Sequence, residues 1–273
     1  MGRPIALLTD FGLDDPYVGQ MKGVLAARAP ESPVIDVSHG VEPFCISQAA
    51  FFLAAAMEHF PGDTVFIVVV DPGVGSGRRI IGAEFGGRTV LAPDNGVLEL
   101  AEDKFRGTAI LTDLSEAAAR MHSSATFHGR DIFAPIAAEI VGGVSLEELG
   151  PKLPLRDMVR TGMNRPHWRT DGVLATVLHK DRFGNLVLNI PDSQNLPERM
   201  SISPDLLLSG NDSCCIRRVS CYAELESGVM GLIAGSQGYY ELAVNRGAAS
   251  EMIGLEPGDT LFLEWNGRKP VFL

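Results

Sequence analysis

Six polar residues in the first half of the chain have the side chains needed for acid–base and ionic chemistry: Asp10, Asp71, Arg78, Asp94, His128 and Asp131. Each falls in a loop or at the end of a periodic segment, where α/β scaffolds commonly carry functional groups. Asp71 leads into Pro72, Gly73, Gly75 and Gly77, a backbone with little side-chain bulk that can approach a ligand closely, and Arg78 and Arg79 close it. A carboxylate, a guanidinium and an imidazole together can orient a water molecule and take its proton without a metal. The same pieces also make an ordinary strand-to-helix turn with a surface ion pair, and a lone His128 serves equally as a hydrogen-bonded structural residue. Which of the three groups takes a proton is open at this level.

Other chemistries lack their motifs. No HExxH, HxH or CxxC spacing is present, so a catalytic zinc is not expected. GxSxG is absent, as expected of a chain that is not a serine hydrolase of that kind. The glycine-rich loop lacks the Lys-Ser or Lys-Thr of a phosphate-binding P-loop. Asp10-Phe11-Gly12 matches a kinase triplet, yet no HRD-type loop accompanies it, so Asp10 reads as a ligand-facing or helix-capping acid.

The elements that must position these residues follow from the hydrophobic pattern. Phe66 to Val70 is an unbroken apolar run, as in a strand buried on both faces, and Asp71 ends it at the edge where open α/β sheets bind ligands. Pro4–Leu8 is a second such strand and Val34–Val37 a third. Helices are expected after Pro16, over Ile46–Phe60, after Val97 and over Ile132–Val141, and Ile80–Phe85 with Thr89–Ala92 reads as a hairpin or as consecutive strands. Alternating strands and helices predict an α/β domain with a mainly parallel sheet over residues 1–165. Pro151–Gly172 reads as an extended connector. Beyond it, strands at Val173–Leu178, Leu186–Ile190, Ile216–Val219, Met230–Ala234, Tyr239–Val244 and Thr260–Trp265 predict a smaller all-β, antiparallel, barrel-like domain over residues 166–273.

Composition limits the partners. With 273 residues, 45% hydrophobic and 21% charged, the chain is typical of soluble globular proteins and has no apolar run of the ~20 residues a membrane span requires. A net charge of −11 argues against nucleic acid, whose binding rests on phosphate contacts. Cys45, Cys214, Cys215 and Cys221 suggest no disulfide framework, and the N-terminus shows no signal-peptide pattern, so a cytoplasmic location is expected. In the second domain Phe183 and Tyr239 have rings that can stack on a flat ligand, and Asn185 and Asn245 have amides that can pair with a heterocycle. For Asp181-Arg182-Phe183-Gly184-Asn185 alone, hairpin-turn chemistry is the competing reading.

Six segments occur in order: TDFG, VDPGVGSGRR, APDNGVL, TFHGRDIFAP, DRFGN and GYYELAVNRGAAS. Together they resemble the S-adenosyl-L-methionine hydroxide adenosyltransferase family, relatives of the fluorinase and chlorinase enzymes, over nearly the whole chain. The resemblance implies cleavage of S-adenosyl-L-methionine by water or hydroxide into adenosine and L-methionine, with no cofactor or metal. It also implies a homotrimer whose sites lie between one subunit's N-terminal domain and a neighbour's C-terminal domain. By position it assigns the catalytic set to Asp71, Arg78 and His128, with Arg78 rather than Arg79 at the family's spacing. Asp10 falls on the acid that holds the ribose hydroxyls, and Phe44 and Phe127 on walls of the pocket. Asp181, Phe183 and Asn185 fall on the motif that meets the methionine portion and the base, while Ser236, Tyr239, Glu241, Asn245 and Arg246 fall on the neighbouring wall. Two rival readings stand beside it: a halogenase on the same scaffold, and a non-catalytic binder of adenosine or S-adenosyl-L-methionine. The negative charge of Asp71 disfavours an incoming halide in a desolvated site.

Overall fold

The computed structural model describes residues 2–105, 110–121, 124–162, 165–192, 205–209 and 214–264. Its contacts divide the chain into two compact units, Met1–Thr161 and Gly162–Leu273.

The first unit is built on seven strands: β1 (Ile5–Thr9), β2 (Val34–Ser38), β3 (Val65–Val69), β4 (Ile80–Phe85), β5 (Arg88–Pro93), β6 (Ile110–Asp113) and β7 (Lys152–Leu153), in the order β2-β1-β3-β5-β4-β6-β7. β1 and β3 are buried along their whole length, as their unbroken apolar runs require. Ile5, Leu7, Val65, Ile67 and Val69 join one core cluster with Met21 and Leu25 of α1 (Tyr17–Arg28) and Ile136, Ala137 and Ile140 of α5 (Ala134–Val141). Strand alternation turns Ala6, Leu8, Phe66 and Val68, all fully buried, to the other face. There α2 (Ile46–Met57) packs on β1 and β2 and touches α3 (Glu99–Lys104).

The sheet is mixed rather than mainly parallel. β2, β1, β3 and β5 run parallel, whereas β4, β6 and β7 join by antiparallel pairs. The reversal begins at the β4–β5 hairpin, whose turn residues Gly86 and Gly87 both take positive φ, 57° and 87°. The stretch read as an extended connector also starts later than expected. Lys152–Leu153 forms the edge strand β7, and the backbone N–H groups of Val159 and Thr161 are held by Asp94 and Glu99. Ile132–Val141 was expected to be plain α-helix; instead a π-helical turn, Gly129–Phe133, precedes α5.

The second unit carries β8 (His167–Trp168), β9 (Gly172–Lys180), β10 (Leu186–Pro191), β11 (Asp205–Ser209), β12 (Cys214–Val219), β13 (Met230–Ala234), β14 (Tyr239–Val244) and β15 (Thr260–Glu264). Trp265, expected to end the last strand, lies outside the described residues. The sheet order is β10-β14-β13-β12-β11-β15-β9-β8, and β10 also pairs with β9, so the sheet curls upon itself. Among the described strands one pair departs from antiparallel pairing: β12 and β13 run parallel, and the connection between them contains a 3-10 turn, Tyr222–Glu224. A short helix, Ala249–Ile253, departs from the all-β expectation. Among the described residues no helix is long and apolar enough to cross a membrane.

Candidate active site

The parallel register brings the candidate acids to one edge. Thr9 pairs with Val69 across β1 and β3, and Ile67 with Leu91 across β3 and β5. Asp10, Asp71 and Asp94 therefore leave the carboxyl ends of three adjacent strands, the edge where open sheets of this kind hold ligands.

After Asp71 the chain makes two tight turns. The N–H of Val74 donates to the Asp71 carbonyl at 3.2 Å, and Ser76 Oγ donates to the Gly73 carbonyl at 2.6 Å. Gly75 has φ 78°, and a Cβ there would come within 2.6 Å of the Ala125 carbonyl oxygen, so only glycine lets the loop lie against the 124–128 segment. The turns return Arg78 onto Asp71 as a fork: Nε donates to Oδ1 at 2.6 Å and Nη2 to Oδ2. The two side chains are 9% and 4% exposed, so the pair is screened little by solvent.

Arg78 Nη2 also lies 3.0 Å from His128 Nδ1. A guanidinium has only donors, so Nδ1 must accept, and the ring proton of neutral His128 resides on Nε2. Burial pulls the imidazole's pKa below its ordinary value, the Arg78 charge adds to that, and Asp71 and Asp131 oppose it. His128 stands directly before the π-helical turn, a distortion that often marks functional sites.

Asp71 and His128 line a cavity of about 380 Å³ together with Asp10, Phe44, Phe127, Phe11, Tyr17, Pro43, Val69, Val74, Thr126 and Gly129. Burial raises the pKa of Asp10; the N–H of Phe44, donating to Oδ2 at 2.9 Å, opposes this, and the charge of Asp71 adds to it. Phe44 takes φ 67°, a left-handed conformation costly for a bulky residue, and leaves its ring 70% exposed at the cavity. Phe127 is buried, in edge contact with Phe11 at 5.9 Å and Tyr17 at 5.2 Å, and its ring lies 4.8 Å from the Arg130 guanidinium. The cavity thus joins aromatic walls to two carboxylates and an imidazole.

Two of the six polar candidates have other partners. Asp94 takes Arg79 Nε at 2.8 Å and the N–H of Val159 at 2.8 Å. Asp131 takes Arg130 Nε at 2.6 Å and the N–H of Ser124 at 2.8 Å. Neither lines the cavity. The two consecutive arginines thus part, Arg78 to Asp71 and Arg79 to Asp94. Phe11, Tyr17, Val74 and Thr126 were not among the expected site residues. Tyr17 sits in the first turn of α1, where the sequence led only to the expectation of a helix starting after Pro16.

In the second unit, Asp181 holds the β9–β10 turn. Oδ1 accepts from the N–H groups of Phe183 at 2.8 Å and Asn185 at 2.9 Å, and Oδ2 accepts from Asn185 Nδ2 at 2.9 Å. Its carboxylate is thus occupied by the turn it was expected either to form or to serve from. Phe183 projects from that turn with 79% of its surface exposed. Glu241 is buried and accepts from the Tyr222 hydroxyl. Burial raises the Glu241 pKa, the Tyr222 bond opposes it, and Asp181 adds to it. Tyr239 is buried within β14 rather than open for stacking, Ser236 and Arg246 are exposed, and Asn245 Nδ2 donates to the Leu225 carbonyl at 2.6 Å. Among the described residues no three His, Cys, Asp or Glu side chains gather as metal ligands would.

Two family descriptions match the chain: SAM hydroxide adenosyltransferase N-terminal domain over residues 5–150, and SAM hydroxide adenosyltransferase C-terminal domain over residues 175–262. A (R)-S-adenosyl-L-methionine hydrolase of Thermus thermophilus is 37% identical over 94% of this chain and 97% of its own. A fluorinase of an Actinoplanes species is 26% identical over 95% of this chain and 97% of its own. A crystal structure of a conserved protein from Thermotoga maritima superimposes with a TM-score of 0.85 at 34% identity, covering 95% of this chain and 99% of that one.

Proposed function

This chain belongs to the SAM hydroxide adenosyltransferase family, and from that premise we propose that it is an enzyme that hydrolyses S-adenosyl-L-methionine to adenosine and L-methionine. The observation that carries the reading is the Asp71–Arg78–His128 group at the wall of an aromatic cavity. A water oxygen forms a bond to C5′ while the C5′–S bond breaks, its electron pair passing to sulfur. Methionine leaves as a neutral thioether, so no acid is needed at the leaving group. What remains is to hold the water in line and accept its proton.

The hydrogen bonding suggests a division of labour. Arg78 occupies His128 Nδ1, so the imidazole offers an Nε2–H to its other side rather than a lone pair. Asp71 lines the cavity and retains carboxylate lone pairs beyond the two that Arg78 uses, which makes it the acceptor for the water's proton, passed on to solvent. In-line positioning contributes up to roughly 7–11 kcal/mol in the best cases, and a base about 10²- to 10⁴-fold. Asp10 suits the ribose hydroxyls, and Phe44 and Phe127 the nucleoside faces.

Asp10 and Asp71, the two carboxylates that line the cavity, favour a sulfonium and disfavour a halide, which supports hydrolysis over halogenation. A non-catalytic binder has no use for a buried Arg78 fork directed at an imidazole. We further propose that the reaction needs no cofactor and proceeds in the cytoplasm. The cavity is completed in a homotrimer by a neighbour's Asp181, Phe183, Asn185, Ser236, Tyr239, Glu241, Asn245 and Arg246; a monomer by analytical ultracentrifugation would remove that assembly.

Incubation in oxygen-18 water with each sulfonium epimer of the substrate, followed by chromatography and mass spectrometry, tests the reaction. Adenosine should carry the label and methionine should not. Unlabelled adenosine would exclude attack by solvent at C5′. A 5′-halogenated nucleoside formed in chloride or fluoride would favour the halogenase.

A further inference from the structure

The loop that carries Asp71 and Arg78 has a glycine-rich backbone braced inside by the turn bonds of Val74 to Asp71 and of Ser76 to Gly73. Between them lie Gly73, Gly75 and Gly77, each adding backbone freedom, and only Pro72 fixes a φ. A bidentate fork, with its second bond to His128, needs its groups held within about 0.5 Å. The turn bonds brace the middle of the loop, and its ends are held at the two stems.

Both stems are held by two consecutive residues of one turn. Asn95 Nδ2 donates to the carbonyl of Val70, the residue before Asp71, at 2.9 Å. Asp94 takes the residue after Arg78: its N–H donates to the Arg79 carbonyl at 3.0 Å, and its Oδ2 accepts from Arg79 Nε at 2.8 Å. The turn is itself secured. Asn95 Oδ1 accepts from the N–H of Val97 at 3.2 Å, and the other Asp94 oxygen takes the N–H of Val159. Gly96 has φ 100°, and a Cβ there would come within 2.6 Å of Thr161 Cγ2. Asp94 is 1% exposed on its side chain, so its charge acts on Arg79 with little screening.

We infer that Asp94 and Asn95 are positioning residues for the hydrolysis: their turn clamps both stems of the 70–79 loop, and in holding Arg79 on one side it presents Arg78 to Asp71 and His128 on the other. The inference rests on the function proposed above, and neither residue touches the cavity. Asn95→Ala frees the Val70 stem and Asp94→Asn weakens the Arg79 stem. A misplacement near 1 Å costs about 10²-fold in favourable cases, so each variant should lower kcat by about 10- to 100-fold. KM should move by less than about 3-fold, because the binding groups stay in place.

A double-mutant cycle separates positioning from stability. If the clamp acts through Asp71, Asn95→Ala should cost almost nothing further in an Asp71→Asn background. Glu99→Gln is the comparison variant. Glu99 is buried close to the clamp and holds Thr161 through its N–H at 2.6 Å and its hydroxyl at 2.9 Å. It should lose thermal stability and keep kcat. A second readout is independent of turnover. The Arg78 charge helps hold the His128 imidazole neutral, so freeing a stem should raise the imidazole titration followed by NMR and assigned by its loss in His128→Gln. Arg78→Ala sets the full size of that rise. Should the wild type prove inert toward S-adenosyl-L-methionine, the functional reading falls and the titration still tests the clamp. An unmoved titration in both clamp variants overturns the inference. So does a kcat loss that adds fully to that of Asp71→Asn, or one matched by Glu99→Gln.

Discussion

Two clusters of acids in this molecule look alike in sequence and differ in what their carboxylates meet. In the first unit Asp71 is gripped by the Arg78 fork, opens onto a cavity, and is linked through that cation to His128. In the second unit Asp181 is gripped by backbone N–H groups and an amide, and Glu241 by a phenol. The partner decides the role. A guanidinium leaves the carboxylate charged and aimed, with lone pairs to spare. Backbone donors fold a carboxylate into a turn, where its loss is first a loss of structure. A buried acid without a cation, such as Glu241, is pushed toward its protonated form.

The largest effect expected from this contrast is at Asp71. Asp71→Asn keeps the size but removes the charge that orients Arg78 and that we propose accepts the water's proton. Turnover should fall by about 10²-fold or more. Substrate binding, measured by calorimetry, should change far less, since Asp10 and the aromatic walls are untouched. Near-normal turnover would erase the difference between the two clusters.

Asp181→Ala comes next. It removes the acceptor of three hydrogen bonds in the β9–β10 turn, at about 1 kcal/mol each and not additively, so the loss should be about 2 kcal/mol in denaturant unfolding. Asn185 would lose its anchor and substrate affinity should drop with it. If stability holds while affinity collapses, Asp181 is a ligand group first, and the contrast with Asp71 narrows.

The legibility of these features in the sequence follows how local their causes are. Asp71 and Arg78 were readable because a buried apolar run, a glycine loop and a cation follow one another, and the structure closes that loop into a fork. His128 is far along the chain: its residue type grouped it with that pair among six candidates, and the family resemblance singled it out as the third member. Asp94 shares a strand edge with Asp10 and Asp71 and was grouped with them, yet its side chain turns to Arg79, a choice made by the PDNG turn. Tyr17 was hidden because a helix-start motif explained its neighbourhood already. The β4–β5 hairpin was one of two readings left open, because an antiparallel pair has the same apolar pattern as two consecutive strands, and the mainly parallel expectation came from the alternation of strands and helices. The two-residue strands β7 and β8 are too short for any period to register.

The smallest expected effect compares the two clusters by pH. His128 is held below its ordinary pKa. The unfolded chain therefore binds its proton first, and this group's stability contribution is present above the ordinary histidine value and lost as pH falls. Glu241 has the opposite sign. Its pKa is raised by burial, so the folded protein holds the proton more tightly, and its contribution is present below the ordinary glutamate value and lost as pH rises through the folded one. At neutral pH the burial of Glu241 is therefore a cost to folding. Glu241→Gln keeps an oxygen to accept the Tyr222 hydroxyl and removes the carboxyl group. Its Tm at pH 7 should rise by on the order of 2 °C, and the gain should vanish below pH ~4, where the native glutamate is protonated as well. Scanning calorimetry at the two pH values reads both arms. A lower Tm at pH 7 would mean that the Glu241 charge is compensated in the folded protein by a positive partner. The second cluster would then resemble the first after all, as a carboxylate waiting for its positive partner.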